Sequence, residues 1–175
     1  MSKPAFIAVA AVTLDGRIAA YRGQNTDWTR KEDKQFLRKF LDKCDVVLVG
    51  RTTYRVAYAP LSKRNCIVLT SRVKTVFKKS PLAFFCNPKA VDLLALIKRL
   101  GYKQVAVLGG QKVYSYCLEK GLLDELFLTI EPLIFGRGLN LLEIKKLPRQ
   151  RVNLLSFKRL NSKGSALLHY RLTKK

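Results

Sequence analysis

The chain has 175 residues, 34 Lys and Arg against 12 Asp and Glu, and 48% hydrophobic residues. That length and apolar content suit a single domain over residues 1–175 with one buried core, and they exclude a disordered polyelectrolyte. The net charge of +22 concentrates anions near the surface, so it admits nucleic acid, a membrane surface or a phosphorylated small molecule without choosing among them.

The first apolar run, AFIAVAAV, is too short to span a membrane and leads to Asp15-Gly16 rather than a cleavage site, so it reads as a core strand. The polar stretch from Gly16 to Thr29 has no clear period. Following the first strand of an open parallel sheet, it reads either as a cover over the crevice where ligands bind or as a simple surface loop, which would look the same. A helix is expected over 31–43, with Phe36, Leu37, Phe40, Leu41 and Cys44 on one stripe. Asp33 lies on that stripe, whereas Glu32 is rotated by about 100° toward Lys39 or Gln35. A carboxylate against an apolar wall requires a partner, because burying an unpaired charge is costly. That partner is either structural, such as a first-turn amide or an Arg, or a ligand's N–H groups. Of the 12 acids, only Asp33 combines a crevice-side position with an apolar helical face.

Further strands are expected at DVVLVG, NCIVLTS, LAFFC, QVAVLGG and LFLTIEPLI, with helices over 51–58, 88–100 and 111–120 between several of them. Asn87 suits the cap of the third helix, Pro88 its first turn and Gly101 its end. Pro132 marks an edge, a bulge or the end of its strand. RVNLLSFKRL and SALLHYRL flank Asn161-Ser-Lys-Gly and read as an antiparallel hairpin. Continuous apolar strands alternating with helices predict a three-layer α/β fold. Its central twisted sheet is mostly parallel, covered by helices on both faces and finished by the C-terminal antiparallel hairpin.

Three strand ends carry ligand-type chemistry. VAVLGGQKVY runs strand, Gly109-Gly110, helix, which exposes N–H groups to a pyrophosphate. VLVGRTTY places Gly50, Arg51, Thr52 and Thr53 at a helix start, and IVLTSR ends in Thr70, Ser71 and Arg72. These lie on one side of a parallel sheet and favour a phosphorylated dinucleotide. No acid stands at a strand end to receive a free ribose 2′-OH, which leans to NADP. Cys44, Cys66, Cys86 and Cys117 lack metal-ligand spacing and read as thiols of a reducing, cytoplasmic compartment, with no metal site. His169 reads as structural. The basic clusters RVKTVFKK and RLTKK lack a repeated aromatic platform, so no specific nucleic acid and no membrane partner is expected.

The chain resembles the dihydrofolate reductase superfamily through AAVTLDGRIA, DWTRKEDKQFLRKF, VVLVGRTTYRVAYAPLSKRNCIVLTSR, VAVLGGQKVYSYCL and ELFLT, in order and over nearly its whole length. The resemblance to dihydrofolate reductases implies NADPH-dependent reduction of 7,8-dihydrofolate, hence a place in one-carbon metabolism. In that reading Asp33, supported by Trp28 and Thr129, holds the pterin. Ala10, Ala11, Leu37 and Leu61 line the substrate, and Arg64 takes the glutamyl carboxylate. The resemblance also implies a cofactor site of Ala11, Ile18, Gly50, Arg51, Thr52, Thr53, Leu69, Thr70, Ser71, Arg72, Leu108, Gly109, Gly110, Gln111, Lys112, Val113 and Tyr114. It further implies a cis peptide between the two glycines. Lys34 and Arg137 depart from the folate pattern. TLDGRIA, the long loop to Trp28 and KGLLDELFLTIEPLIFGRG resemble instead the reductase domain of riboflavin biosynthesis, which reduces a phosphorylated ribosylamino-pyrimidine. That relative is the alternative reading, and a nucleic-acid-binding protein on a reductase-like fold is the third. The two enzyme families imply a monomer and a homodimer respectively.

Overall fold

The computed structural model describes residues 3–144 and 149–173, so the last two residues of the RLTKK cluster lie outside it. In chain order the elements are β1 (Ala5–Thr13), β2 (Arg17–Ala19), a 3-10 turn (Thr26–Trp28), α1 (Lys31–Leu41), β3 (Val46–Gly50), α2 (Arg51–Val56), α3 (Tyr58–Leu61) and β4 (Cys66–Leu69). There follow β5 (Val76–Ser80), β6 (Ala83–Cys86), α4 (Leu93–Arg99), β7 (Gln104–Gly109), α5 (Gln111–Glu119), β8 (Glu125–Glu131), β9 (Leu139–Asn140), β10 (Val152–Arg159) and β11 (Ala166–Leu172).

Among the described residues nine strands form one sheet in the order β10-β11-β8-β1-β7-β3-β4-β6-β5. The pairs from β8 to β6 are parallel, while β11 on β8, β10 on β11 and β5 on β6 are antiparallel. This is the three-layer arrangement expected, hairpin included. Alternation along each strand supplies two cores. Phe6, Leu48, Ile67, Val105 and Val107 face Leu93 and Ile97 of α4 and Val113 and Cys117 of α5. Val47, Val49, Val68 and Ala106 face Leu41 of α1, Tyr54 of α2 and Leu61 of α3.

Several details differ from the sequence expectations. The helix expected over 88–100 begins only at Leu93, because the Asp92 side chain caps it by accepting from Ala95 N at 3.1 Å. Asn87 instead closes a local turn, accepting from Lys89 N at 3.1 Å. Gly101 follows that helix at φ +77°, as its sequence position implied. Pro132 ends β8. The RVKTVFKK cluster contributes β5, a lysine-bearing edge strand that blunts pairing with other chains. Glu32 turns neither to Lys39 nor to Gln35. It accepts from Asn161 Nδ2 at 3.3 Å in the hairpin turn. His169 is structural: its ring stacks on Phe127 at 3.9 Å and its Nε2 lies 2.8 Å from Glu125. All four cysteines are free, and burial pushes the Cys66 and Cys117 thiols up to about 12. No described helix is long and apolar enough to cross a membrane.

Candidate active site

The parallel strands β1, β3, β4 and β7 open at their C-terminal ends onto one cleft of about 1410 Å³. Ordinary small-molecule pockets run roughly 300–1,000 Å³, so this one has room for two ligands side by side. One half of it is backbone. At the end of β7 the Gly109–Gly110 peptide is cis, and Gly109 has φ +78°. A Cβ on Gly109 would stand 2.2 Å from the Tyr114 ring, so only glycine fits there. The Gly110 N–H donates to Thr53 Oγ1 at 3.0 Å, tying the start of α5 to the start of α2. Hydrogen bonding in α5 begins with Val113 and Tyr114, whose N–H groups both reach the Gly110 carbonyl. Gln111 and Lys112 therefore present first-turn amides to the cleft they line. Arg51 and Thr52 at the start of α2, and Thr70, Ser71 and Arg72 after β4, line the same half.

The other half is made of side chains. Asp33, on the first turn of α1, is buried at 7% exposure and lines the cleft. Burial is the largest influence on its carboxyl and raises its pKa above the usual value, and the nearby Glu131 carboxylate adds to that rise. The hydroxyls of Thr129 and Thr29 and the charge of Lys34 act the other way. Thr129 has the largest of these opposing effects, although its buried Oγ1 makes no hydrogen bond of full geometry to a protein group. Thr29 Oγ1 donates to the Thr26 carbonyl at 3.1 Å. Tyr114 donates its phenol to the Val9 carbonyl at 2.6 Å, and burial, then the neighbouring Asp33, raises its pKa.

The structure brings most of the expected site residues together. Ala10, Ala11, Ile18, Asp33, Leu37, Leu61 and Arg64 line the cleft, as do Gly50, Thr53, Leu69, Leu108, Gly110, Val113 and Tyr114. Gly109, Trp28 and Thr129 do not. Gly109 shapes the cradle from beneath, and Thr129 stands behind Asp33. Trp28 packs edge-on against Phe135 at 5.2 Å, and its buried Nε1 has no protein partner. The Gly16–Thr29 stretch does border the cleft, through Ile18, Ala19, Thr29 and the segment Arg22–Thr26. It is held there by β2 pairing with β9. Gly138 makes that approach feasible, since a Cβ would meet the Ala19 carbonyl oxygen at 2.0 Å.

Sequence reasoning missed Lys34 and Arg38, one turn apart on α1, together with Lys63 and Arg22, all of which line the cleft. For Lys34 and Arg38 the spacing at i and i+4 was the available signal. It also missed Glu131, 1% exposed and close to Asp33. Among the described residues no group of three or more His, Cys, Asp or Glu side chains is placed to hold a metal ion.

Comparison with known proteins places these features. YyaP of Bacillus subtilis is 28% identical over 158 residues, covering 82% of this chain and 81% of its own. The 2,5-diamino-6-ribosylamino-4(3H)-pyrimidinone 5′-phosphate reductase of Methanothermobacter thermautotrophicus is 25% identical over 174 residues, covering 77% and 80%. Among solved structures, a putative riboflavin biosynthesis protein from Shewanella sp. PV-4 superposes with TM-score 0.77 at 21% identity, covering 97% of this chain and 99% of that one. A dihydrofolate reductase from Enterococcus faecalis complexed with NADP(H) superposes with TM-score 0.66 at 20% identity, covering 98% of each chain. The fold is thus the one shared by both reductase groups, but the expectation of dihydrofolate as partner is overturned by the riboflavin-type matches. Two features of the cleft bear on this. Arg64, expected to take a glutamyl carboxylate, is ion-paired with Asp42 of the α1 C-cap, and Lys34, the residue beside Asp33 that departs from the folate pattern, lines the cleft together with Arg38. Residues 4–164 match the model of the RibD C-terminal domain, and the chain belongs to that family.

Proposed function

We propose that the protein is an NADPH-dependent reductase of a phosphorylated ribosylamino-pyrimidine, acting on the carbon that joins the sugar to the exocyclic nitrogen. The observation that carries this reading is the division of one cleft into two unlike halves. A backbone cradle suits a pyrophosphate, and a half lined by Lys34, Arg38 and Lys63 beside a buried acid suits a phosphorylated, nitrogen-rich substrate. The relative from Methanothermobacter is named for such a substrate.

The cradle fits a dinucleotide on this chain's own geometry. The site of a Cβ at Gly109 is filled by Tyr114, and the Gly110 N–H is fixed by Thr53, so the backbone itself forms the floor. Gln111 and Lys112 would hold the pyrophosphate, and Arg51, Ser71 and Arg72 the 2′-phosphate that distinguishes NADPH from NADH. When bound there, the reduced nicotinamide supplies the hydride.

The remaining steps belong to the protein. Lys34 and Arg38 bind the substrate phosphate and set its reach along α1. Leu37, Leu61 and Ala10 wall the pyrimidine and exclude water from it. A ribosylamine accepts hydride only as its open-chain imine, whose nitrogen takes up a proton as its carbon is reduced. Asp33 is the group placed to hold that proton, because burial raises its pKa from the usual 3.8. If the protonated form is the working one, the rate falls as pH rises through the Asp33 pKa.

The test is NADPH oxidation with the ribosylamino-pyrimidinone 5′-phosphate, its dephosphorylated nucleoside and dihydrofolate side by side. Turnover confined to the phosphate ester is the expected result. Equal rates with the nucleoside would remove the role given to Lys34 and Arg38, and no oxidation with either pyrimidine would refute the reading.

A further inference from the structure

Glu131 is the most deeply buried carboxylate among the described residues, and nothing in the reductase reading uses it. It lies at the C-terminal end of β8, two residues beyond Thr129 and therefore on the same face of the strand. Its Oε1 accepts from the Arg30 backbone N–H at 3.0 Å, and its Oε2 accepts from Ser165 Oγ at 2.6 Å, with Arg30 Nε 3.7 Å away. Three separate elements thus meet on one carboxylate: the end of β8, the start of α1 and the hairpin turn before β11.

The contact to Arg30 has a specific consequence. Arg30 is the N-cap of α1 and makes no side-chain capping bond, and Asp33 is the third residue of the helix. In an ordinary capping box the acid at that third position bends back to accept the N-cap backbone N–H. Here that N–H is already taken by Glu131 from another strand. The Asp33 carboxyl, relieved of capping, lines the cleft instead. We infer that Glu131 is a positioning residue, which occupies the Arg30 N–H so that Asp33 is aimed at the substrate rather than folded back onto its own helix. The inference rests on the reading of Asp33 as the acid that faces substrate.

Charge adds to geometry. The groups facing the Asp33 carboxyl are Glu131 and Thr129 from β8, Lys34 from α1, Thr29 from the preceding turn and the Tyr114 phenol from α5. Glu131 disfavours ionisation of Asp33, Lys34 and the two threonines favour it, and the Arg30 guanidinium lies over Glu131. Glu131 therefore both aims the carboxyl and helps to keep its proton.

Two substitutions separate these effects. Glu131→Gln keeps an oxygen for the Arg30 N–H and an amide that can donate to Ser165, but it removes the charge. In the full chain labelled with carboxyl-13C aspartate, the Asp33 resonance, assigned by its loss in Asp33→Asn, should titrate at lower pH in Glu131→Gln than in the parent. The high-pH limb of kcat should move down with it, while the KM for NADPH stays unchanged. Glu131→Ala removes the acceptor as well. The Arg30 amide should then exchange faster with solvent, and kcat should fall on the order of 10²-fold. Ser165→Ala, which leaves the Arg30 bond in place, should spare kcat relative to Glu131→Ala. An Asp33 titration unmoved in Glu131→Gln overturns the charge effect, and a Glu131→Ala protein with both kcat and Arg30 protection intact overturns the positioning. Should Glu131→Ala not fold, the shorter Glu131→Asp, which keeps the charge but withdraws the carboxylate from the Arg30 N–H, is read by the same kcat and Arg30 exchange measurements. The NMR titration and amide exchange need no turnover. A failure of the proposed substrate would therefore appear as an inactive parent protein, distinct from a failure of Glu131 to act on Asp33.

Discussion

The two halves of the cleft are built by different means. The half proposed for the cofactor comes from the ends of β3, β4 and β7, where each contribution is local in sequence: Gly50 to Thr53, Leu69 to Arg72, and Leu108 with Gly110 to Tyr114. The half proposed for the substrate is lined by Asp33, Lys34 and Arg38 on α1 and Lys63 after α3, and backed by Thr129 and Glu131 on β8 and the turn at Ser165. A backbone half tolerates little change in shape but much in side chains that point elsewhere. A side-chain half keeps its fold when changed and loses chemistry instead.

The sharpest way to break that contrast is at Gly109. Gly109→Ala puts a methyl group into the buried Tyr114 ring at a φ of +78°. It should destabilise the protein by roughly 3 kcal/mol or more, measured by denaturant unfolding, and abolish NADPH binding. A stable Gly109→Ala protein that still binds NADPH would show that the cradle is not the rigid half.

Asp33→Asn is the counterpart in the side-chain half. It should reduce kcat by about 10² or more with NADPH affinity preserved. Its effect on stability has the opposite sign. Because the folded pKa of Asp33 is raised, the folded state binds the proton more tightly than the unfolded one, and that contribution is complete at low pH. It is lost as pH rises from the unfolded value of 3.8 through the folded pKa, so Asp33→Asn should be more stable than the parent at neutral pH. The advantage should vanish below pH 3.8, as thermal unfolding across pH would show.

Smaller effects refine the comparison. Arg51→Ala should raise the KM for NADPH about tenfold, the loss of one charge-assisted contact, and leave that for NADH nearly unchanged. An equal rise for both cofactors would move Arg51 away from the 2′-phosphate. Arg64→Ala should cost only about 0.2–1 kcal/mol of stability, since the Asp42 partner is largely exposed. A large loss of substrate affinity in Arg64→Ala would return that residue to the binding machinery.

The boundary between what was legible and what was not runs along the same line. Asp33 could be singled out because helical periodicity places it on the stripe with Phe36, Leu37 and Phe40, all within one helix. The Gly-Gly turn and the Arg51 and Ser71 strand ends were legible because backbone chemistry at a strand-to-helix junction is local. Glu131 was not, because its partners Arg30 and Ser165 are 101 and 34 residues away in sequence. The start of α4 was misplaced because Asn87 was read as its cap, whereas the cap is Asp92, which accepts from Ala95 N and precedes the buried Leu93, Leu96 and Ile97. Dihydrofolate was preferred on the strength of the GRTTY helix and of Arg64, and the pairing of Arg64 with Asp42 follows from the approach of α3 to the end of α1.

Hydrophobic period and turn chemistry by themselves determined the sheet, its two helical layers and the hairpin, since burying a period-2 or period-3.6 apolar face leaves few arrangements. Tertiary structure alone decided which charges meet. Arg64 came to pair with Asp42, and Glu131 came to stand behind Asp33. Electrostatic partners act through space over a few ångströms, and the chain distances that separate them carry no trace of it.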